Sequence, residues 1–492
     1  MAGRNGSAVE MKREEHSAEP AKGWKVSARL VLAMLLFVAP ARGEDLLSVY
    51  RSALDSSNRL ERVRADVRYE QASRDEARAG LLPKLRGAAT LTRNDTRIEG
   101  FGEDFAGRAL PPGVFAGSVE KTHTGGSYSF RLIQPLVDAQ AWSAVDASDA
   151  RIAAGQAAVT VVEQNLILEV VDAYFTLLRA QADARAVRSR RERMTETLGR
   201  AEANLAVGAG DIIAVHEARA ARDAAQAAVI ESRNAVRIAR ARLERLTHRP
   251  VGALDELGRI EARPPEPNRV SSWVRTAAEK HPLLRQTQLR LAAARKRIHF
   301  ERRARWPQLD ATAGYGYDKG SFLPSSERWQ GSVGLALTLP FYEGGAIGAR
   351  VRQAEARVAS LSQRLQELED RIGLETENAF LRLEDSVSRL AAAEQGLDSA
   401  RVSLQATRQG LRLGTRTIVD LLAAIEALEA SERSYHHARY QHVTGRIRLK
   451  AAAGVVAEKD ALALNALLRG AAAPAPQPVD RDNGNRPPKR ER

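Results

Sequence analysis

Ser332-Val333-Gly334-Leu335-Ala336-Leu337-Thr338-Leu339 carries an apolar side chain at every second position. A period of two residues predicts a β-strand with one apolar face. Pro340 follows this strand, and from Gly345 to Arg412 the chain changes to a helical pattern without proline. The sequence therefore predicts a short strand that leads into a very long helix.

Three further segments have the same alternation. They are the segment around Tyr128, Phe130 and Leu132, and the segments Leu85–Thr92 and Leu309–Tyr317. Each is about as long as the 9 to 11 residues with which a tilted strand crosses the apolar layer of a membrane. A soluble sheet packed on its own helices is the alternative. Four strands cannot close a barrel, and open edges are costly in lipid, so a membrane role requires several chains to share one barrel.

The chain consists of two copies of one unit, because the same landmarks recur in the same order. The matched pairs are Leu82-Pro83-Lys84-Leu85 with Trp306-Pro307-Gln308-Leu309, Gln134-Pro135-Leu136 with Leu339-Pro340-Phe341, and Val207-Gly208 with Leu413-Gly414. The first pair has a larger spacing than the other two, so one loop is shorter in the second copy.

Long helices occupy most of each copy. The runs Ala139–Ala206 and Gly345–Arg412 would each form a rod of about 100 Å at about 1.5 Å per residue. Each rod turns at a glycine and returns as a shorter helix, Ile212–Thr247 or Ile418–Ala453, while helices at Leu46–Leu81 and Ser271–Ala304 lead into the strands. The two shorter helices of a copy together match one rod, so they could pair along it end to end. A coiled-coil seam follows spacings of three and four through Val358, Leu361, Leu365, Leu368 and Ile372.

These patterns predict five segments. Residues 1–43 form a signal peptide, 44–248 the first structural repeat, 249–270 a proline-rich connector, 271–453 the second repeat, and 454–492 a C-terminal segment with a disordered tail from Pro474 to Arg492. The signal peptide has basic residues before an apolar run, Leu30–Val38, and small residues before Glu44. About 9 apolar residues are too few to span a bilayer, so export is favoured over a membrane anchor.

Composition excludes several functional classes. The net charge of +14 would suit nucleic acid, but arginine alternates with acidic residues along the helices instead of clustering. The chain has no cysteine, hence no disulfide framework and no cysteine for a lipid anchor. His436, His437 and His442 do not predict a metal site, because adjacent histidines point to different sides of a helix. No catalytic constellation or cofactor motif is present, so an enzyme is not predicted.

Several motifs resemble those of the TolC-like outer-membrane factor family of efflux and secretion channels across essentially the whole mature chain. They are Glu44-Asp45-Leu46-Leu47-Ser48-Val49-Tyr50, His281-Pro282-Leu283-Leu284, Pro340-Phe341-Tyr342-Glu343-Gly344-Gly345 and, most specific, Gly414-Thr415-Arg416-Thr417-Ile418-Val419-Asp420-Leu421-Leu422.

The resemblance implies a mainly α protein with a small β-barrel part in the outer membrane. Three chains would form a homotrimer, in which four strands from each complete a 12-stranded transmembrane barrel continued by a helical tunnel in the periplasm. The expected partners are outer-membrane lipid, a periplasmic adaptor (membrane fusion protein) and an inner-membrane RND or ABC transporter, with no nucleic acid. The expected function is the exit duct of a tripartite efflux pump or type I secretion system. A soluble periplasmic coiled-coil scaffold or adaptor is the alternative.

The two glycine turns are the predicted site. Under the resemblance, they form the periplasmic tip that docks the adaptor, with Val207 and Gly208 in the first turn and Leu413, Gly414, Thr415 and Arg416 in the second. Glycine also serves as an ordinary helix C-cap, and both roles can hold together. From the pattern alone, Asp420 fits a helix capping box begun by Thr417 better than a pore residue. The resemblance implies instead that Asp420 is the pore constriction, and Ala214 at the equivalent first-copy position indicates that such a cap is not required at every turn. The loops Thr96–Gly126 and Asp318–Arg328 should face the cell exterior.

Overall fold

A computed structural model describes residues 44–98, 119–319 and 327–468. The predictions for the signal peptide and for the tail Pro474–Arg492 lie outside these residues, as do the centres of the two predicted external loops.

The chain alternates pairs of strands with long helices. In order, the elements are α1 Leu46–Asp55, α2 Asn58–Ala79, β1 Lys84–Ile98, β2 Val119–Val137, α3 Ala139–Ala206, α4 Ile212–Thr247, α5 Val270–Lys280, α6 Pro282–Arg303, β3 Gln308–Lys319, β4 Glu327–Thr338, α7 Ala346–Arg412, α8 Ile418–Ala452 and α9 Glu458–Leu468. The mainly helical fold with four strands is confirmed. The predicted bounds of α3 and α4 are met, and those of α7 and α8 differ by one residue each.

Two predicted helices are each broken into two. The expected helix Leu46–Leu81 is interrupted at Ser56 and Ser57, where the Ser57 hydroxyl accepts from the N–H of Leu60 and starts α2. The expected helix Ser271–Ala304 is interrupted at His281, whose backbone is extended. Pro282 disfavours helical geometry in the residue before it and is well suited to the first position of α6, so the break follows from the sequence.

The four strands form one antiparallel sheet in the order β1-β2-β3-β4. All four exceed their predicted lengths, and β2 reaches 19 residues. Thr96 pairs with Lys121, and Gly126 pairs with Lys319, so these residues belong to strands. The predicted external loops therefore included residues that the structure places in the sheet. β1 and β4 are the outer strands, each with one edge unpaired within the described chain.

Register places most of the large apolar side chains of the sheet on one surface, the apolar face, whereas Ile133 shares the opposite face with its partner Lys84. Leu85 pairs with Leu132, Ala313 and Val333 across the sheet, and the row from Ala89 continues through Tyr128, Tyr317 and Trp329. In that row, the ring centroids of Tyr128 and Tyr317 are 5.3 Å apart and those of Tyr317 and Trp329 are 4.3 Å apart. Most of these side chains are exposed, with Val333 at 90%, whereas Ala313 and Tyr317 are half-buried. The opposite, polar face presents serine, threonine, glycine and charged residues.

The short helices pack end to end along the long ones, as predicted. α2 and α4 both pack on α3, while α5, α6 and α8 pack on α7. α6 also packs on α3, so α2, α3, α6 and α7 form a row in the same order as the strands that they adjoin. α3 and α8 are further joined by ion pairs, namely Arg448 with Asp172 at 2.9 Å, Arg193 with Glu432 at 3.6 Å and Arg190 with Glu426. His437 and Asp183 add a hydrogen bond of 3.0 Å between the same helices.

The connector at 249–270 is an integrated part of the structure rather than a loose link between repeats. Glu44 donates its N–H to the carbonyl of Ala253 and accepts at its own carbonyl from the N–H of Asp255. The hydroxyl of the fully buried Tyr174 lies 3.0 Å from the carbonyl oxygen of Glu44 and 3.2 Å from that of Asp255. Arg249 adds a bidentate ion pair to the Glu44 carboxylate. The largest apolar cluster surrounds this junction.

The segment after residue 453 contains a helix that was not predicted. α9 packs on α1, and Asn465 donates to the carboxylate of Asp45 at 3.0 Å. The carbonyl of Leu467 accepts from the N–H of Gly258. Among the helices within the described ranges, none is long and apolar enough to cross a membrane.

Candidate functional site

The two glycine turns have the same backbone geometry. In the first, the N–H of Gly208 binds the carbonyl of Leu205, and the N–H of Ala209 binds that of Asn204. In the second turn, the N–H of Gly414 donates to the carbonyl of Leu411, and the N–H of Thr415 donates to that of Gly410. Paired bonds of this kind define a Schellman motif, which requires a left-handed residue after the helix. Gly208 and Gly414 supply it, with φ of 73° and 72°.

The helices that leave the turns are capped differently. At the first turn, the Asp211 carboxylate accepts from the N–H of Ile213 at 3.0 Å. At the second, Thr417 and Asp420 form a reciprocal capping box: the Thr417 hydroxyl accepts from the Asp420 N–H at 3.2 Å, and the Asp420 carboxylate accepts from the Thr417 N–H at 2.9 Å. The first turn therefore dispenses with an acidic residue at Ala214 because Asp211 caps α4 directly.

The environment of Asp420 favours its ionised form. The hydrogen bonds from the backbone and the side chain of Thr417 lower the pKa of the Asp420 carboxyl, and the nearby positive charge of Arg416 adds to the effect. The Arg416 guanidinium lies 4.0 Å from the carboxylate, and both side chains are largely exposed. Asp420 thus carries a negative charge at neutral pH while serving as a helix cap.

Both turns lie at the same end of the helices. Leu198 and Ala201 of α3 pack with Val215 and Ala218 of α4 in a small apolar cluster, and Ile418 at the start of α8 packs against it. Above this cluster, Val207 and Leu413 occupy equivalent C-cap positions and are 77% and 79% exposed. The predicted tip residues are therefore brought to one end, where two exposed apolar side chains flank two glycines.

Gly410 holds the second turn together in a way that the sequence did not reveal. A Cβ at this position would stand 2.7 Å from Cγ of Arg416, so only glycine lets the Arg416 side chain fold back over the end of α7. The repeat alignment does not find it, because the equivalent position in the first copy is Asn204.

The three histidines of α8 have separate environments. Nε2 of His437 lies 3.0 Å from a carboxylate oxygen of Asp183, whereas His442 is buried between the Ser386 hydroxyl and the N–H of Arg263. His436 stacks on Tyr440. Within the ranges that the structure describes, no group of three or more side chains is arranged to hold a metal ion.

Comparison with known proteins gives one family and several relatives. The family model described as "Outer membrane efflux protein" matches residues 49–248 and 273–455. The outer membrane protein TolC of Escherichia coli is 27% identical over 446 residues, which cover 88% of this chain and 87% of TolC. The alkaline protease secretion protein AprF of Pseudomonas aeruginosa is 28% identical over 443 residues, covering 87% and 88% respectively.

Solved structures show the same fold. The CmeC outer membrane channel of Campylobacter jejuni aligns with a TM-score of 0.71 at 17% identity, over 87% of this chain and 89% of that one. The VceC outer membrane protein of Vibrio cholerae aligns with a TM-score of 0.67 at 18% identity, over 83% and 96%.

Proposed function

Since the chain belongs to the outer membrane efflux protein family, we propose that it is the exit duct of a tripartite efflux pump or a type I secretion system. It is an outer-membrane protein whose helices extend into the periplasm. The resemblance to TolC-like channels inferred from its motifs is confirmed, and the family is one of channels. The observation that carries the proposal is a sheet with an apolar, aromatic-rich face that continues directly into a row of long helices.

The sheet supports assembly from several chains. All 12 residues of β4 are exposed, and its outer edge offers unpaired backbone groups, as does that of β1. In lipid such edges are costly, and pairing β4 of one copy with β1 of the next would satisfy both. Three copies are proposed from the family resemblance, giving a homotrimer with 12 strands. The division into repeats 44–248 and 271–453, joined by 249–270, is part of the same proposal.

The tip formed by the two glycine turns is the proposed docking site for a periplasmic adaptor that links the duct to an inner-membrane RND or ABC transporter. Val207 and Leu413 provide apolar contacts that no part of the described chain covers, and the glycines leave their backbones accessible. A Gly414→Val substitution should abolish efflux while oligomers still form, because no atom in the described part of the protomer lies within 4 Å of the added Cβ. Site-specific crosslinking to the adaptor that is as efficient as in wild type would contradict the docking role.

Asp420 is the proposed constriction, with one carboxylate from each copy at the tunnel entrance. Three close carboxylates would repel one another and attract divalent cations. Two substitutions separate this role from capping. Asp420→Asn keeps an oxygen that can accept from the Thr417 N–H but removes the charge, whereas Asp420→Ala removes both.

Conductance of single channels in planar bilayers tests the constriction. Both variants should weaken block by divalent cations added on the periplasmic side and raise conductance modestly, and only Asp420→Ala should also loosen the start of α8. If Asp420→Asn retains the full cation block, then Asp420 is a helix cap and the constriction lies elsewhere.

Fractionation tests the function as a whole against the soluble scaffold. An exit duct should remain with the outer membrane until detergent is added, whereas a periplasmic scaffold would be released by osmotic shock. Release without detergent would refute the proposed function. No enzymatic role is proposed.

A further inference from the structure

The polar face of the sheet carries more basic than acidic side chains. Between the row of Asp310 and the row of Asp318, its basic residues are Lys84, Arg86, Arg131 and Arg328, and its acidic residues are Asp310 and Asp318. Both acidic groups have a partner close by: Gln308 donates to Asp310 at 3.2 Å, and Asp318 stands directly opposite Arg328 in the register. Lys84, Arg86 and Arg131 have no acidic side chain directly opposite them, and Arg86 and Arg131 lie in the same row.

Arg86 and Arg131 form a like-charged cross-strand pair. They are directly opposite each other on β1 and β2, and the same row continues through Gly314 and Ser332. Within the described residues, neither guanidinium has an ion-pair partner. Like charges placed directly opposite destabilise a strand pair, and an anion between two guanidiniums would offset their repulsion through charge-assisted hydrogen bonds.

The helices that continue the sheet also carry more basic than acidic side chains along one groove. A groove of about 750 Å³ is lined by α2, α3, α6 and α7 together, and its charged residues are Arg62, Asp66, Glu70, Arg151, Arg290, Arg297 and Arg357. Arg151 is paired with Glu70 at 3.0 Å, and Arg297 with Glu301 at 2.6 Å. Arg62, Arg290 and Arg357 have no ion-pair partner in the described part of the chain.

Both surfaces should face the lumen of the assembled duct. The aromatic-rich apolar face of the sheet suits lipid, which leaves the polar face for the interior of the barrel. Four helices in a row can line one groove only if the row curves around it. If further copies of the chain extend this curved row into a closed ring, the groove lies inside the ring. The unpaired arginines of strands and helices would therefore lie along one continuous passage.

We propose that the outer part of this duct is an anion-selective passage, in which the Arg86–Arg131 pair binds carboxylate or phosphate groups of the solutes that leave through it. The inference rests on the proposed function and adds to it a class of substrate, namely solutes that carry anionic groups. Arginine binds both groups in bidentate geometry, and a passage lined by one sign of charge concentrates the opposite sign.

The experiment measures the reversal potential of single channels under a gradient of potassium chloride. It is made in an Asp420→Asn background, because carboxylates at the entrance would oppose an anion preference of the outer part. Arg86→Gln with Arg131→Gln removes the strand pair, and a second variant changes Arg62, Arg290 and Arg357 to Gln. Arg93→Gln is the matched control, since Arg93 lies on β1 but on the apolar face, with the same parity as Leu85 and Leu91.

The Asp420→Asn channel should favour chloride over potassium. A change in lumen potential on the order of 1 kT alters the two ion concentrations about e-fold in opposite senses, so the ratio of chloride to potassium permeability should fall about sevenfold in the double variant. The triple variant should lower it as well, and Arg93→Gln should leave it unchanged. At about 1 M salt, where the Debye length is about 3 Å, the preference should largely vanish.

Three results would overturn the inference: a cation preference in the Asp420→Asn channel, a ratio unaffected by either arginine variant, or an equal fall with Arg93→Gln. A chain that conducts no ions at all would instead refute the proposed function, so the two failures are distinguishable. Because the substituted arginines are exposed and form no ion pair within the described residues, heat-resistant oligomers on gels should confirm that each variant assembles.

Discussion

Gly414 provides the sharpest test of how the tip is built. Its φ of 72° lies in the left-handed region, and no atom of the described residues lies within 4 Å of a Cβ built at this position. Replacing it by alanine therefore introduces no clash, and the whole effect should be the conformational cost. For a residue with a Cβ, this cost is about 1–2 kcal/mol.

The cost should appear locally, in the hydrogen bonds of the Schellman motif. The N–H groups of Gly414 and Thr415 bind the carbonyls of Leu411 and Gly410 at 3.2 and 2.9 Å. Amide hydrogen exchange of a peptide covering this turn, measured by mass spectrometry, reports the free energy of local opening. A loss of about 1–2 kcal/mol corresponds to exchange that is about 5 to 30 times faster for Gly414→Ala.

Two further variants make the result specific. Gly414→Asn should exchange more slowly than Gly414→Ala, because asparagine tolerates the left-handed region better. Gly396→Ala adds the same methyl group within the same helix, α7, also with nothing within 4 Å, and should slow exchange nearby since alanine stabilises a helix interior by about 0.5–1 kcal/mol relative to glycine. The prediction is refuted if Gly414→Ala leaves the exchange rate unchanged, or if Gly414→Asn raises it as much as Gly414→Ala does. Either result would mean that left-handed backbone strain does not determine the stability of this turn.

Three other predictions concern the junction around Glu44, the buried His442 and the loops predicted to face the exterior. Tyr174→Phe should lower the free energy of unfolding by about 1–1.5 kcal/mol, because it removes the hydroxyl that bonds the carbonyls of Glu44 and Asp255. Denaturation monitored by circular dichroism measures this free energy. The control Tyr69→Phe, at an exposed site, should leave it unchanged. Burial lowers the pKa of His442 below its ordinary value of 6.5, so the unfolded chain binds a proton that the native chain resists, and stability should fall as the pH drops below 6.5. The loss of stability in acid should be smaller in His442→Gln, which melting temperatures at neutral and mildly acidic pH measure. An identical loss in that variant would mean that other groups cause it, such as His436 and His281, whose pKa values burial also lowers. An epitope inserted beside Pro111, which lies outside the described residues, should bind antibody on intact cells, and binding only after lysis would contradict the predicted orientation.

The sequence was sufficient for the long helices and for the two turns. Periodicity without proline located α3 to the residue, and glycine after each rod located the reversals. The sequence was insufficient where a helix is interrupted because side-chain hydrogen bonds compete with the helical ones. Ser56 ends α1 with side-chain bonds to the carbonyls of Ser52 and Leu246, the latter 190 residues away, and Ser57 caps the start of α2. His281-Pro282 could have been recognised, because proline restricts the residue before it.

The candidate site was predicted only in outline. The capping box at Thr417 and Asp420 was visible as a pattern, and the structure contains it. That Asp211 caps the helix after the first turn was not predicted from the sequence, because Asp211 aligns with Thr417 and the residue equivalent to Asp420 is Ala214. The role of Gly410 depends on the position of the Arg416 side chain, and no periodicity encodes it. The basic excess of the polar face required the register, because a shift of one residue would have moved Arg86 to the other face.

The junction around Glu44 has a consequence for the order of folding. Its bonds join Glu44 to Ala253 and Asp255, and Asp45 is joined to Asn465 across 420 residues of sequence. Contacts so distant in the chain cannot form until nearly all of it is available, and closing such large loops is slow. The helical hairpins can form early from local contacts, whereas the beginning of the chain has to wait for its end. A polypeptide interrupted before α9 would thus keep its hairpins but leave α1 without its partner, which makes this junction the last part of the protomer to become native.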